Sequence, residues 1–352
     1  MSAENSAAAR PLTAEMSDIR TVRILRYAFG STLGMAVAMG FDWPLAFLTP
    51  VLVVSFLGTP TPRPSIKTLT TFVAVIAVAC AIGSVVAILL VPYPGVFLLV
   101  LALLLFHVFL AKFRGAPGLL ITWLLIAVQA IPILAAVSTR LAVIVAAYIV
   151  YGSAIAVAVV WLAHIVIPDP PQPAAAAAAA PEEEVLSADY GFYRALVSTA
   201  VVYPVAALFF TFQSTGALIV LIFIAILALQ PSLAAGYKAG IALIVGNLIG
   251  GIASIIVYDL LVVAPHFGFL VLLTLLAALL FGSGLFSTSR WAPLFGMAFS
   301  TLLLIIGSTT SSYGEAGSKA TTRVIQITIA VTYAVVAHNV LLKLFPRSES
   351  SS

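Results

Sequence analysis

Apolar residues run in long unbroken stretches along this chain, and polar residues gather in the short gaps between them. A membrane-spanning helix needs roughly 20 apolar residues at about 1.5 Å rise each. Marking runs between charges, Pro/Gly clusters and polar breaks gives first-half spans at 24–42, 45–58, 68–91, 95–111, 117–138 and 141–167. The second half gives 190–212, 216–230, 236–263, 267–286, 291–310 and 320–345. Period-two alternation is absent, and the runs exceed the roughly 9–11 residues of a barrel strand, so the pattern predicts helices. The expected fold class is an all-α integral membrane protein with about twelve transmembrane helices. A fused pair would lower the count to ten or eleven.

Composition removes the soluble classes. Of 352 residues, 62% are hydrophobic and 8% charged, and mean hydropathy is +1.19; soluble domains carry about 25% charge. So little charge cannot cover a water-facing surface, which excludes a soluble enzyme, a nucleic-acid binder and a disordered scaffold. The lipid bilayer is the implied partner, and nucleic acid is not. The lone Cys80 lies in an apolar run, which leaves no disulfide framework and no cysteine-based metal site.

Placement of charge predicts an orientation. With the N-terminus inside, the cytoplasmic face carries Arg10, Arg20, Arg23, Arg26, Arg63, Lys67, Lys112, Arg114, Arg194, Lys238, Arg290, Lys343 and Arg347. The outer face carries Arg140, Lys319 and Arg323. The bias is what the positive-inside rule expects of a correct topology, with both termini cytoplasmic.

Residues 1–22 are polar, lack an apolar signal core and read as a cytoplasmic tail. A first membrane unit covers 23–167 and a second 188–346, with a short tail at 347–352. Between them, 168–187 contains PDPPQPAAAAAAAPEEE, a Pro/Ala-rich cytoplasmic linker that cannot build a core. The halves align weakly. Arg26 matches Arg194, Lys67 matches Lys238, and Arg114-Gly115-Ala116-Pro117 matches Arg290-Trp291-Ala292-Pro293. Six helices per unit predicts two parallel repeats about an axis along the membrane normal.

The second and eighth spans are short, and Pro-containing turns follow both. Paired short or Pro-interrupted segments point to a transport site. Thr49, Pro50, Gln230 and Pro231 are therefore candidate pathway residues, although such segments also fit tilted helices. In the ninth span Asn247, Gly251, Ser254 and Tyr258 share one face, with Gly246 and Gly250 beside them. Asn247 reads as either an interhelical hydrogen bond or a pathway residue, Tyr258 extends that stripe, and the glycines read as helix packing. Lys67, Arg114, Lys238 and Arg290 form a candidate inner-face basic ring that would concentrate anions, and the same residues satisfy the positive-inside rule. His107, His164 and His338 read as isolated packing or interfacial histidines, and Asp42 and Asp259 as solvated acids. A phosphate loop, HExxH, GxSxG, a TVGYG filter and an Arg-rich sensor helix are all missing, so neither an enzyme nor a resident cofactor is expected.

Leu229-Gln230-Pro231-Ser232, Gly236-Tyr237-Lys238-Ala239-Gly240, Gly246-Asn247 and Gly250-Gly251 resemble the membrane domain of the fusaric-acid-resistance and aromatic-acid-exporter family. The first half repeats the pattern loosely with Trp43, Thr49-Pro50, Pro60, Lys67 and Gly83. The family arginine falls at Leu243 and its threonine at Asn247, and the Pro/Ala linker stands where many members carry a large cytoplasmic domain. The resemblance implies a bacterial inner-membrane efflux component for small amphipathic compounds, aromatic carboxylates among them. It would work with a periplasmic adaptor and an outer-membrane channel, as a monomer or a homo-oligomer. The alternative is a non-transporting membrane subunit that docks or stabilises a partner.

Overall fold

The computed structural model describes residues 12–43, 45–59, 63–169, 187–213, 218–230, 233–310 and 316–344. Among them are twelve α-helices and no strand. The first six are α1 (Leu12–Phe41), α2 (Leu48–Leu57), α3 (Ile66–Leu90), α4 (Pro94–Phe113), α5 (Gly118–Val137) and α6 (Thr139–Val166). The second six are α7 (Ala188–Thr211), α8 (Leu218–Ala228), α9 (Leu233–Val263), α10 (Phe267–Leu285), α11 (Ala292–Thr310) and α12 (Ala316–Leu344). Among the described residues nine helices hold a stretch long and apolar enough to cross a bilayer. Helices suit such a sequence because each peptide group finds its partner within its own segment, where lipid offers none. Together they mark a multi-pass membrane protein.

Several helices begin earlier than their apolar runs. Helix α1 begins at Leu12, so the boundary expected at residue 23 falls inside a continuous helix, and α9 begins at Leu233. Most of the linker, 170–186, the tail 347–352 and Pro231 lie outside the described residues.

The two short spans are shorter still than the sequence suggests. Helix α2 has 10 residues and α8 has 11. At about 1.5 Å per residue each covers only about 15 Å, half of a roughly 30 Å hydrocarbon core. Each follows a long helix that stops on a left-handed residue: Asp42 after α1 (φ 46°) and Gln213 after α7 (φ 51°). A left-handed residue ends a helix by turning the chain off its axis.

The packing of α1–α6 among themselves recurs among α7–α12. Helix α3 packs on α5 and α6, and α9 on α11 and α12; α2 packs on α1 and α6, and α8 on α7 and α12. Helix α1 packs on α10, and α4 on α7. The α1–α10 seam runs antiparallel: Arg20 donates to the Ser283 carbonyl at 2.9 Å and Tyr27 packs on Gly282, while at the far end Gly40 faces Phe267. Along α4–α7, Phe97 stacks on Phe210 at 4.1 Å and Phe106 meets Phe192 edge-on at 5.3 Å. Two apolar cores result. One gathers α1, α2, α3 and α6 with α10 and α11, the other α4, α7, α8 and α12. Helix α5 serves both, with Trp123, Ala127 and Ile131 facing the first and Ile121, Leu125 and Val128 the second.

Candidate functional site

Two small residues set the site by letting backbones approach. A Cβ on Gly246 would lie 2.8 Å from Met297 Cβ, and one on Gly250 would overlap the Ala298 carbonyl oxygen. This contact presses α9 against α11 and brings Thr301 to Asn247. Asn247 is nine residues past Lys238, about 14 Å along the helix. It is only 3% exposed.

The hydrogen bonds around Asn247 fix its orientation. Nδ2 donates to the Leu243 carbonyl at 2.8 Å, so Oδ1 faces the donors. Thr301 Oγ1 donates to Oδ1 at 2.7 Å, and Arg323 Nε donates to the same atom at 3.2 Å. Thr301 Oγ1 is also 3.0 Å from the Met297 carbonyl, and its single hydrogen serves one acceptor at a time. The Arg323 guanidinium lies over the Phe223 ring of α8, 5.4 Å from its centroid. Its Nη1 is buried and has no hydrogen-bond partner, and among the described residues no carboxylate pairs with it.

Arg323, expected near the outer face, turns its side chain into the bundle. It sits seven residues into α12 and turns inward to α8 and α9. Distance from the preceding loop suggests an interfacial arginine; its place inside the apolar segment Thr321–Leu341 is the signal that points inward.

A second polar cluster holds the end of α8. Arg194, 1% exposed, donates from Nη2 to the Gln230 carbonyl at 2.6 Å and from Nη1 to His338 Nε2 at 2.9 Å. Its guanidinium also lies over Phe113, 5.8 Å from the ring centroid. Ser198 donates to the Ala228 carbonyl at 2.7 Å. A cation and a hydroxyl from α7 thus satisfy carbonyls that α8 leaves open at its C-terminus. His338, expected to stand alone, is paired across 144 residues.

Arg26 holds the end of α6 in a related way. Its Nε donates to the Ile167 carbonyl at 2.9 Å, and its Nη2 pairs with Asp169 at 2.7 Å. His164, one turn earlier, bonds its own helix at Val160.

The other sequence candidates divide. Thr49 and Pro50 are buried on α2 in the first core, where Thr49 Oγ1 donates to the Gly152 carbonyl at 3.4 Å and Pro50 packs at Gly34. Gln230 joins the α8 cluster through its backbone carbonyl. Tyr258 is half-buried and packs on Ile305, about three turns from Asn247. Lys67, Arg114, Lys238 and Arg290 are exposed at or near helix ends, Arg290 lying over Trp291 at 4.8 Å. Asp42 and Asp259 are exposed. Among the described residues no cluster of His, Cys, Asp or Glu has the makings of a metal site.

An all-helical, multi-pass membrane protein with two inward-facing arginine clusters in its second half is the class these features define. Residues 23–163 match the model of a family described as "protein of unknown function (DUF2955)", a match confined to the first half. No curated protein and no solved structure matches the chain.

Proposed function

We propose that the chain is a transport component of a bacterial inner membrane that exports small amphipathic anions through its second half. In this reading both termini are cytoplasmic and the molecule is two parallel six-helix repeats. The recurring helix pairs support the duplication, and so do the left-handed stops at Asp42 and Gln213, 171 residues apart like Lys67 and Lys238. Arg323, withdrawn into the bundle, leaves Arg140 and Lys319 as the outer-face cations.

The observation that carries the proposal is Arg323. A charged group inside a membrane is costly, and an intramembrane cation with a free buried donor is a functional hypothesis by default. The matched positions in the first half strengthen it. Nine residues after Lys67 stands Ile76, where nine after Lys238 stands Asn247. Eleven after Arg114 stands Leu125, where eleven after Arg290 stands Thr301. Fifteen before His164 stands Ile149, where fifteen before His338 stands Arg323. Three buried aliphatic residues occupy the places of the polar three, so this helix arrangement packs without them. A guanidinium beside an aromatic ring suits a ligand with one anionic group on an apolar body.

Counterflow of 1-naphthoate into liposomes reconstituted with the full chain tests the reading. The wild-type protein is expected to carry naphthoate and not the neutral naphthamide, and Arg323→Gln to lose roughly tenfold to a hundredfold, the worth of a charge-assisted hydrogen bond. Flux at the level of empty liposomes would instead favour the partner-docking subunit, which capture of a periplasmic adaptor would identify.

A further inference from the structure

We infer that His338 is a proton-binding site whose filling is exchanged against the hydrogen bond from Arg194, and that this exchange latches or frees the inner end of α8. The inference stands whether or not the chain transports.

Its basis is one lone pair. A neutral imidazole has one nitrogen that carries hydrogen and one that accepts. Arginine has donors only, so the 2.9 Å contact from Arg194 Nη1 makes His338 Nε2 the acceptor and places the hydrogen on Nδ1. A second proton can bond only at Nε2. Taking it from water forms an N–H bond there and ends the Arg194 hydrogen bond. Two adjacent cations then face each other in a buried site, where charge repulsion is weakly screened. Arg194 is the mobile partner, because its other nitrogen holds the Gln230 carbonyl at the end of a helix only 11 residues long. When the proton returns to water, Nε2 accepts again and the latch re-forms.

Helix α4, whose Phe113 meets Arg194, carries Lys112 next to that ring and His107, exposed, further along. Helices α8 and α11, both packed on α12, contain no titratable residue. Helix α7 brings Arg194 itself, Tyr203 and the Tyr190–Tyr193 pair, with Asp189 exposed at its start. Helix α9 brings Lys238, exposed, and Tyr237 near that end, and Tyr258 and Asp259 toward the other. On α12 the nearest groups are Tyr333, whose hydroxyl donates to the Val201 carbonyl at 2.9 Å, and Lys343, exposed. The first half shows what a fixed version looks like. Arg26 is held there by the Asp169 carboxylate, and His164 is turned to its own helix. Only in the second half does the histidine take the arginine's hydrogen.

The test uses the full chain in nanodiscs with ¹⁵N-labelled histidine. Four histidines give a short spectrum, and His338→Gln assigns the fourth. Backbone exchange protection at 226–230, corrected for the intrinsic pH dependence of exchange, reports the latch. On acidification the wild-type His338 imidazolium signal should appear in the same pH step in which protection falls at least tenfold. His338→Gln keeps an acceptor for Arg194 and cannot take the proton, so it should stay protected with no step. Arg194→Gln should be unprotected at every pH, again with no step. A step that survives in His338→Gln, or an imidazolium signal with no change in protection, would overturn the inference, and His338→Gln alone decides it if Arg194→Gln does not fold.

Discussion

Gly250 and Gly268 show how much a single position depends on what faces it. A Cβ at Gly250 meets the Ala298 backbone and Thr301, whereas one at Gly268 has nothing within 4 Å. Gly250→Ala should therefore destabilise the protein by about 1–3 kcal/mol through overpacking at α9–α11. Gly268→Ala should leave the melting temperature in detergent unchanged. The sequence legibly marks Gly246, Gly250 and Asn247, because small residues and an amide on one face of an apolar helix are visible within about ten residues. It does not mark what Asn247 meets. Thr301 is 54 residues away and Arg323 76, and no local pattern encodes such pairs. Thr301→Val removes the neutral donor alone and should cost about 0.6 kcal/mol, the average for a hydrogen bond between membrane helices. A melting shift as large as that of Gly250→Ala would mean that Thr301 is needed for packing instead.

At the scale of elements, α8 is the informative helix. Its shortness is legible, since Gln230-Pro231 closes an apolar run too short to span. The same reasoning finds α2, where Pro50 and the TPTPRP turn bracket the segment. What holds α8 in place is not legible, because the carbonyls at its end are satisfied from α7 by residues that look like an interfacial arginine and an ordinary serine. Ser198→Ala removes one of these bonds, 2.7 Å to the Ala228 carbonyl. It should raise exchange at 226–230 about threefold, the equivalent of about 0.6 kcal/mol. Exchange that rises equally along α7 would point to general loosening of the bundle.

For the whole molecule, the docking of α1 on α10 and of α4 on α7 means that each half completes its core with helices of the other. Twelve helical segments are visible in the spacing of apolar runs. The interlock is not, because apolar faces such as Phe97, Phe210 and Tyr27 carry no label for their partner. Residues 1–176 and 177–352, expressed together as separate chains, should co-purify as one complex. Either alone should be degraded or aggregate, and a stable isolated first half would contradict an interlocked fold.

The proposed role of Arg323 is to bind a small amphipathic anion through its inward-turned guanidinium. Equilibrium binding of 1-naphthoate to the full chain in nanodiscs, measured beside naphthamide and repeated with Arg323→Gln, tests it most directly. Naphthoate should bind saturably and naphthamide should not, and the substitution should weaken naphthoate binding by roughly tenfold to a hundredfold. Equal affinity of the wild-type and substituted proteins for naphthoate would contradict it.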